Sequence, residues 1–269
     1  MKHYICTTCG TQYAPSALPP ERCSICDEER QFVNPDGQSW TTLEDLRGSK
    51  HYRNELVQLE EGLYRLTTVP RFAIGQSAYI LRTGGYTLMW DCIAYFDEET
   101  LDMLAAIGGI DAIAISHPHY YTTCVEWAAR LNVPVYLHEA DRQWSMRLDE
   151  RIAHWQGDRK ELAPGLALYR LGGHFDGGAV AHWEQGNKRK GLLLTGDIIQ
   201  VVEDPRWVSF MYSYPNLIPL SAAKVAAIAN RVEGLKFDRL YNAFGGVVHE
   251  GACETVRRSA ERYIRALKD

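Results

Sequence analysis

No stretch of this 269-residue chain approaches the roughly 18 apolar residues that a membrane-spanning helix needs, and the N-terminus, MKHYICTTCG, has no apolar core of a secretory signal. Neither membrane insertion nor export is expected, so a cytoplasmic location is the default. Cationic clustering is scarce as well. The net charge is −5, and the densest basic run is NKRK at 187–190, too short to follow a nucleic-acid backbone. That run reads as a solvated hairpin tip, and no nucleic-acid partner is expected. Internal repeats and low-complexity tracts are also missing, which leaves an ordinary globular chain with 46% hydrophobic and 23% charged residues.

Before residue 50 the chain has almost no periodic apolar pattern. APSALPPERCSICDEE and NPDGQSW are rich in turn residues, whereas strand-like and helix-like segments alternate steadily afterwards. A small domain over residues 1–50 and a larger one over 51–269 are therefore expected. In the larger part GLYRLTTV, SAYILRT and YTLMWD read as successive strands, DEETLDMLAAIGG as a helix, and DAIAIS as a buried strand. TTCVEWAARLN follows as a helix and VPVYLHE as a strand; GLALYRL, AVAHWE and GLLLTGD are three further strands. SAAKVAAIANRVEG and GACETVRRSAERYIRALK, on either side of the strand FDRLYNAFG, have helical spacing. Mixed sheets with helices outside them are the architecture this order implies.

Four of the seven cysteines fall in the first 26 residues, as Cys6-x-x-Cys9 and Cys23-x-x-Cys26 with thirteen residues between the pairs. Two such knuckles supply four soft thiolates that can close a tetrahedron around zinc, and a domain of about 50 residues gains from a metal staple because its core is small. The arrangement resembles zinc ribbons and rubredoxins; iron and a redox disulfide are the other readings. With sulfur at all four positions no open coordination site would remain. Cys92, Cys124 and Cys253 sit singly in apolar stretches and read as small buried hydrophobes.

His117 and His119 lie one residue apart in ISHPHYYTT, just after a buried strand. Alone they say little. Further polar groups stand at other strand ends, however: His174 in GGHFDGG, Asp197 in LLLTGDII and His249 in FGGVVHEG. A core strand that ends in a Gly-flanked His or Asp needs a partner for that polar group, and a metal ion is one.

In order and context these residues, over roughly residues 56–269, resemble the metallo-β-lactamase superfamily, whose pattern is His-x-His-x-Asp-His, then a Gly-His loop, a Thr-Gly-Asp turn and a last His near the C-terminus. The resemblance implies an αββα sandwich preceded here by the small zinc ribbon, with metal ligands His117, His119, His174, Asp197 and His249. It also implies that Asp91 in LMWDC supports the metal loop. By the same alignment Tyr121 and Thr122 stand where the family has Asp and His, so a mononuclear zinc or iron site is expected. The activity implied is hydrolysis of a small ester, lactone, lactam or thioester. In it Asp197 orients water, Tyr121 donates a hydrogen bond to the oxyanion or fills the vacated site, and His249 protonates the leaving group. An iron oxidoreductase on the same scaffold and a non-catalytic binding protein are the rival readings. The aromatics Trp207, Phe210, Tyr212 and Tyr214 form either a pocket wall for a small-molecule substrate or an ordinary packed crossover, and the ribbon offers an element for homodimerisation.

Overall fold

The computed structural model describes residues 1–268. Two large sheets carry the fold. The first has seven strands in sequence order: β3 (Arg53–Glu60), β4 (Leu63–Val69), β5 (Ala78–Thr83), β6 (Tyr86–Trp90), β7 (Ala112–Ala114), β8 (Val135–His138) and β9 (Ile152–Trp155). The second has the order β10 (Arg159–Ala163), β11 (Leu166–Arg170), β12 (Ala179–Trp183), β13 (Leu192–Leu194), β18 (Arg239–Tyr241) and β19 (Val247–Val248). Short pairs complete the set: β1 (Ile5–Cys6) with β2 (Trp40–Thr41), β14 (Gln200–Val201) with β15 (Val208–Ser209), and β16 (Met211–Ser213) with β17 (Ile218–Pro219).

Period-two alternation sorts the side chains between two apolar layers. Tyr79, Leu81, Leu88, Trp90, Ala112 and Ala114 point inward, where they meet Leu168, Ala181, Leu192 and Leu194 of the second sheet. The intervening Ile80, Met89 and Ile113 point outward into a core shared with Leu104 and Trp127. Those two come from the helices α2 (Glu98–Ala106) and α3 (Cys124–Leu131). On the far side Val180 and Leu193 pack with Ile228 and Val256, carried by α5 (Ala222–Glu233) and α6 (Ala252–Ala266). Helices therefore cover both outer faces, and the layers run αββα.

The expected strands and helices are present, with FDRLYNAFG reduced to the three residues of β18. β3, β9 and β10 are additions. In β3 the side chains are mostly half-exposed or exposed, so little apolar alternation marks it. NKRK does stand in the β12–β13 hairpin, yet Asn187 is buried there and its backbone N–H donates to Glu60.

The cysteine-rich segment is docked on the sandwich. Its centre is Cys6, Cys9, Cys23, Ile25 and Cys26, against which Ile74, Trp144 and Met146 of the larger part also pack. Ile5, together with Leu43 and Leu46 of helix α1 (Leu43–Gly48), belongs to the outer core of the first sheet. The composition change near residue 50 thus does not mark a gap in packing.

Candidate metal centres and the cavity between them

Each of the four cysteines of the N-terminal cluster is buried. Sγ of Cys6 lies 3.6 Å from that of Cys26, and Sγ of Cys9 lies 3.6 Å from that of Cys23. A disulfide needs about 2.05 Å, whereas the edge of a tetrahedron with metal–sulfur bonds of about 2.3 Å is roughly 3.8 Å. The geometry fits one ion closed off by four sulfurs. Tyr13 Oη donates to Cys23 Sγ at 3.4 Å and Gln38 Nε2 to Cys6 Sγ at 3.3 Å, bonds that stabilise sulfur as thiolate.

The second centre is built where strands end. β7 runs out into Ser116 and His117, and Asp91, just past β6, accepts the Ser116 N–H at 2.7 Å. Ser116 Oγ lies 2.8 Å from His117 Nδ1, which fixes the ring with Nε2 turned toward Asp197. β13 ends in the Thr195-Gly196-Asp197 turn. A Cβ at Gly196, whose φ is +53°, would sit 2.3 Å from Ser116 Oγ, so only glycine lets the two strand ends come this close. His174 stands in the loop between β11 and β12. Its Nδ1 lies 3.2 Å from the Met211 carbonyl, and its Nε2 faces His119 Nδ1 at 3.3 Å.

His117, His119 and His174 each offer a nitrogen, all within 4.8 Å of one another. Asp197 Oδ2 lies 3.8 Å from His117 Nε2. His117 Nε2, Asp197 Oδ1 and the Tyr120 hydroxyl are buried and have no hydrogen-bond partner. Orphaned polar atoms converging on one point are costly unless a cation satisfies them, and three imidazoles with a carboxylate fit a divalent ion with a position left open. Burial pushes His174 down to about 4, with the Arg30 guanidinium adding to the effect. Burial holds His117 and His119 well below the usual histidine value, helped by the neighbouring rings. The three rings are therefore neutral near pH 7, the form that ligates. Burial raises Asp197 to about 7, opposed by the nearby Tyr120 hydroxyl.

Two sequence expectations need correction. Tyr121 does not face this centre. It is buried in the outer core of the first sheet, with Thr11, Gln12 and Val125 around it. The 3-10 turn Pro118–Tyr120 and the positive φ of Thr122 (+38°) rotate the segment by one residue, so that Tyr120, ring to ring at 4.3 Å with His117, takes the site-facing position. His249 is not brought to the centre either. Val248 of β19 turns inward, leaving the next side chain exposed, and the His249 carbonyl accepts from Arg239. The strand that does lead to the site is β18, parallel to β13. It is followed by Asn242, Ala243 and Phe244, of which Phe244 reaches the cavity. Among the described residues the four N-terminal cysteines and the three histidines are the two groups able to hold a metal.

The cavity over the histidines has a volume of about 230 Å³ and includes His119, His174, Asp197 and Tyr214 in its walls. Of the aromatic segment, then, Tyr214 is a wall, whereas Phe210 is buried core and Trp207 lies under Arg258 and Arg262. Thr8, Gln31 and Phe32 of the cysteine-rich segment supply another wall. The same segment sends Arg30 across to donate from Nη1 to the His174 carbonyl at 3.0 Å. The guanidinium lies 3.9 Å above the Phe175 ring and pairs with Glu28 at 2.8 Å. Nothing in DEERQF marks Arg30 in advance, because its partner is 144 residues away.

Four layers in αββα order, with a histidine centre at the ends of β7, β11 and β13, are the metallo-β-lactamase fold. DIM-1 metallo-β-lactamase superposes with a TM-score of 0.59 over 78% of this chain and 98% of its own, at 13% identity. VMB-1 gives 0.59 over 80% and 98%, also at 13% identity. FIM-1 from Pseudomonas aeruginosa, in a mono-zinc form, gives 0.56 over 78% and 95% at 14% identity. No protein-family model matches the chain. A curated sequence does: "Uncharacterized protein YmaE" of Bacillus subtilis (strain 168) is 56% identical over 267 residues, 99% of this chain and 97% of that protein. The chain belongs to the family of YmaE.

Proposed function

We propose that this protein is a metal-dependent hydrolase of a small ester, lactone, lactam or thioester, with one catalytic ion held by His117, His119 and His174 beside Asp197. The observation that carries the reading is the convergence of three neutral imidazoles and a carboxylate, with orphaned polar atoms, on the floor of a cavity of about 230 Å³. A bound divalent ion supplies Lewis acidity there, polarising an acyl carbonyl and acidifying a water. The protein's own groups do the rest. Asp197, in the cavity wall 3.8 Å from His117 Nε2, takes the proton of the attacking water on its carboxylate and returns it to the leaving group. The Tyr120 hydroxyl stands near that carboxylate, Ser116 and the Met211 carbonyl fix the rings of His117 and His174, and Thr8, Gln31 and Phe32 of the cysteine-rich segment wall the cavity. The thiolate-bound ion, with no open position, has a structural role, and zinc is the metal proposed for both sites.

The test joins elemental analysis to a hydrolysis panel of 4-nitrophenyl acetate, a thioester, a γ-lactone and a β-lactam. Purified protein is expected to hold one metal equivalent beyond the thiolate-bound ion and to cleave at least one panel member. His119→Ala is expected to lose that equivalent and that activity while keeping the thiolate-bound ion. An active, metal-replete His119→Ala protein, or a parent inert across the panel, would sink the proposal.

A further inference from the structure

Arg71 is the one lysine or arginine that lines the cavity over the histidines. Among the described residues it joins no ion pair. By contrast Arg30, nearby, is taken up by Glu28 and the His174 carbonyl. Arg71 is exposed at the rim of the cavity, and its side chain has a defined course. It follows Pro70 in the β4–β5 connection, and its side chain folds back across the turn, so that a Cβ on Gly75 would lie 2.3 Å from both its Cγ and its Nε. Gly75, with φ +77°, is what leaves that space.

The rest of the wall is complementary in kind. Phe32 and Phe244, which are 44% and 43% exposed overall, both line the cavity, and Ile74 and Pro215 continue the apolar lining. Asp197 is the cavity's one carboxylate, and it stands with the metal ligands. At about 230 Å³ the cavity falls below the roughly 300–1,000 Å³ that holds a drug-sized ligand, so the occupant is small.

We infer that the cavity takes a small anion, its carboxylate or phosphate seated on the Arg71 guanidinium and its apolar or aromatic body against Phe32, Ile74 and Phe244. Arginine's planar fork matches either anion in bidentate fashion. Only the placing of a scissile bond at the histidines rests on the hydrolase reading; recognition of the anion does not.

Calorimetric titration of the metal-loaded protein with phenylacetate, phenyl phosphate and the neutral phenylacetamide tests this without any turnover. The anions are expected to bind more tightly than the amide, and whichever of the two binds better names the source of the charge. Arg71→Ala is expected to weaken the preferred anion by about tenfold or more and to leave the amide unchanged, with Arg71→Lys intermediate. His119→Ala is expected to retain the Arg71-dependent part of binding, because that part does not involve the ion. Equal binding of phenylacetate and phenylacetamide, no binding of either anion, or an Arg71→Ala protein that binds the anions as the parent does would each overturn the inference. A parent that shows Arg71-dependent anion binding but no hydrolysis keeps the inference and removes the hydrolase reading.

Discussion

At the scale of single residues, the tyrosine pair after His119 separates two roles that the linear motif confuses. Tyr121 stands where the superfamily pattern has Asp, yet its ring is packed in the core, and the carbonyl of the next residue, Thr122, accepts the Gln12 N–H at 3.1 Å. Replacing Tyr121 by Asp with Thr122 by His, which motif alignment alone would offer as a rebuilt second metal site, puts an unpaired carboxylate into that core. The expected outcome is a loss of several kcal/mol of stability with no gain in bound metal. Tyr120→Phe removes only a hydroxyl that has no hydrogen-bond partner, so folding is expected to survive within about 1 kcal/mol. Turnover is expected to fall about tenfold or more as Asp197 loses its neighbour. Urea titration, zinc counting and kcat measured on both variants check the contrast. A stable double variant with an extra ion would restore the linear alignment.

Among the elements, the loop that carries Arg30 ties the cysteine-rich segment to the His174 loop between β11 and β12. Besides the Arg30 bond to the His174 carbonyl, Ser213 Oγ donates to the Arg30 carbonyl at 3.0 Å, and Asn216 Nδ2 donates to the carbonyls of Glu29 and Gln31 at 2.9 Å each. The ribbon therefore reaches both the His174 loop and the β16–β17 hairpin, whose Met211 carbonyl orients the His174 ring. Groups that hold a ligand from behind typically matter by about 10–100-fold in metal affinity. Arg30→Ala is expected to weaken the histidine site by about tenfold on that scale, in competition with a chromogenic chelator, while the thiolate-bound ion stays in place. Arg30→Lys should recover little, since a point charge cannot both donate in the plane of the guanidinium and stack on Phe175. Unchanged affinity in Arg30→Ala would leave the ribbon as a wall only.

For the whole molecule, the relevant fact is that Ile5, Leu43 and Leu46 share one apolar core with Ile80, Met89 and Trp127. The ribbon's own small centre around the four cysteines is in turn packed against Ile74, Trp144 and Met146 of the sandwich, so the two are expected to melt together. Scanning calorimetry of the metal-loaded protein is expected to give one transition with equal calorimetric and van't Hoff enthalpies. Cys9→Ser, by loosening the thiolate-bound ion, is expected to lower that single midpoint and leave no early shoulder. Two resolved transitions would mean that residues 1–50 and 51–268 fold independently. What the sequence determined by itself is whatever repeats locally or stands at a strand end. Period-two apolar runs gave the strands and helical spacing the helices, the two Cys-x-x-Cys pairs gave the four-cysteine set, and the His-x-His pair after a strand with the Gly-flanked His174 and Asp197 gave the polar strand ends that resemble the superfamily pattern, because each signal is carried within a few residues. Which neighbour turns toward the site was left to the tertiary structure. A one-residue rotation in the Pro118–Tyr120 turn exchanged Tyr121 for Tyr120, and strand alternation sent His249 to the surface while β18 delivered Phe244. Arg30 and the ribbon wall became visible only once residues 144 positions apart met, since contacts at that separation depend on how the layers pack and leave no periodic trace in the chain.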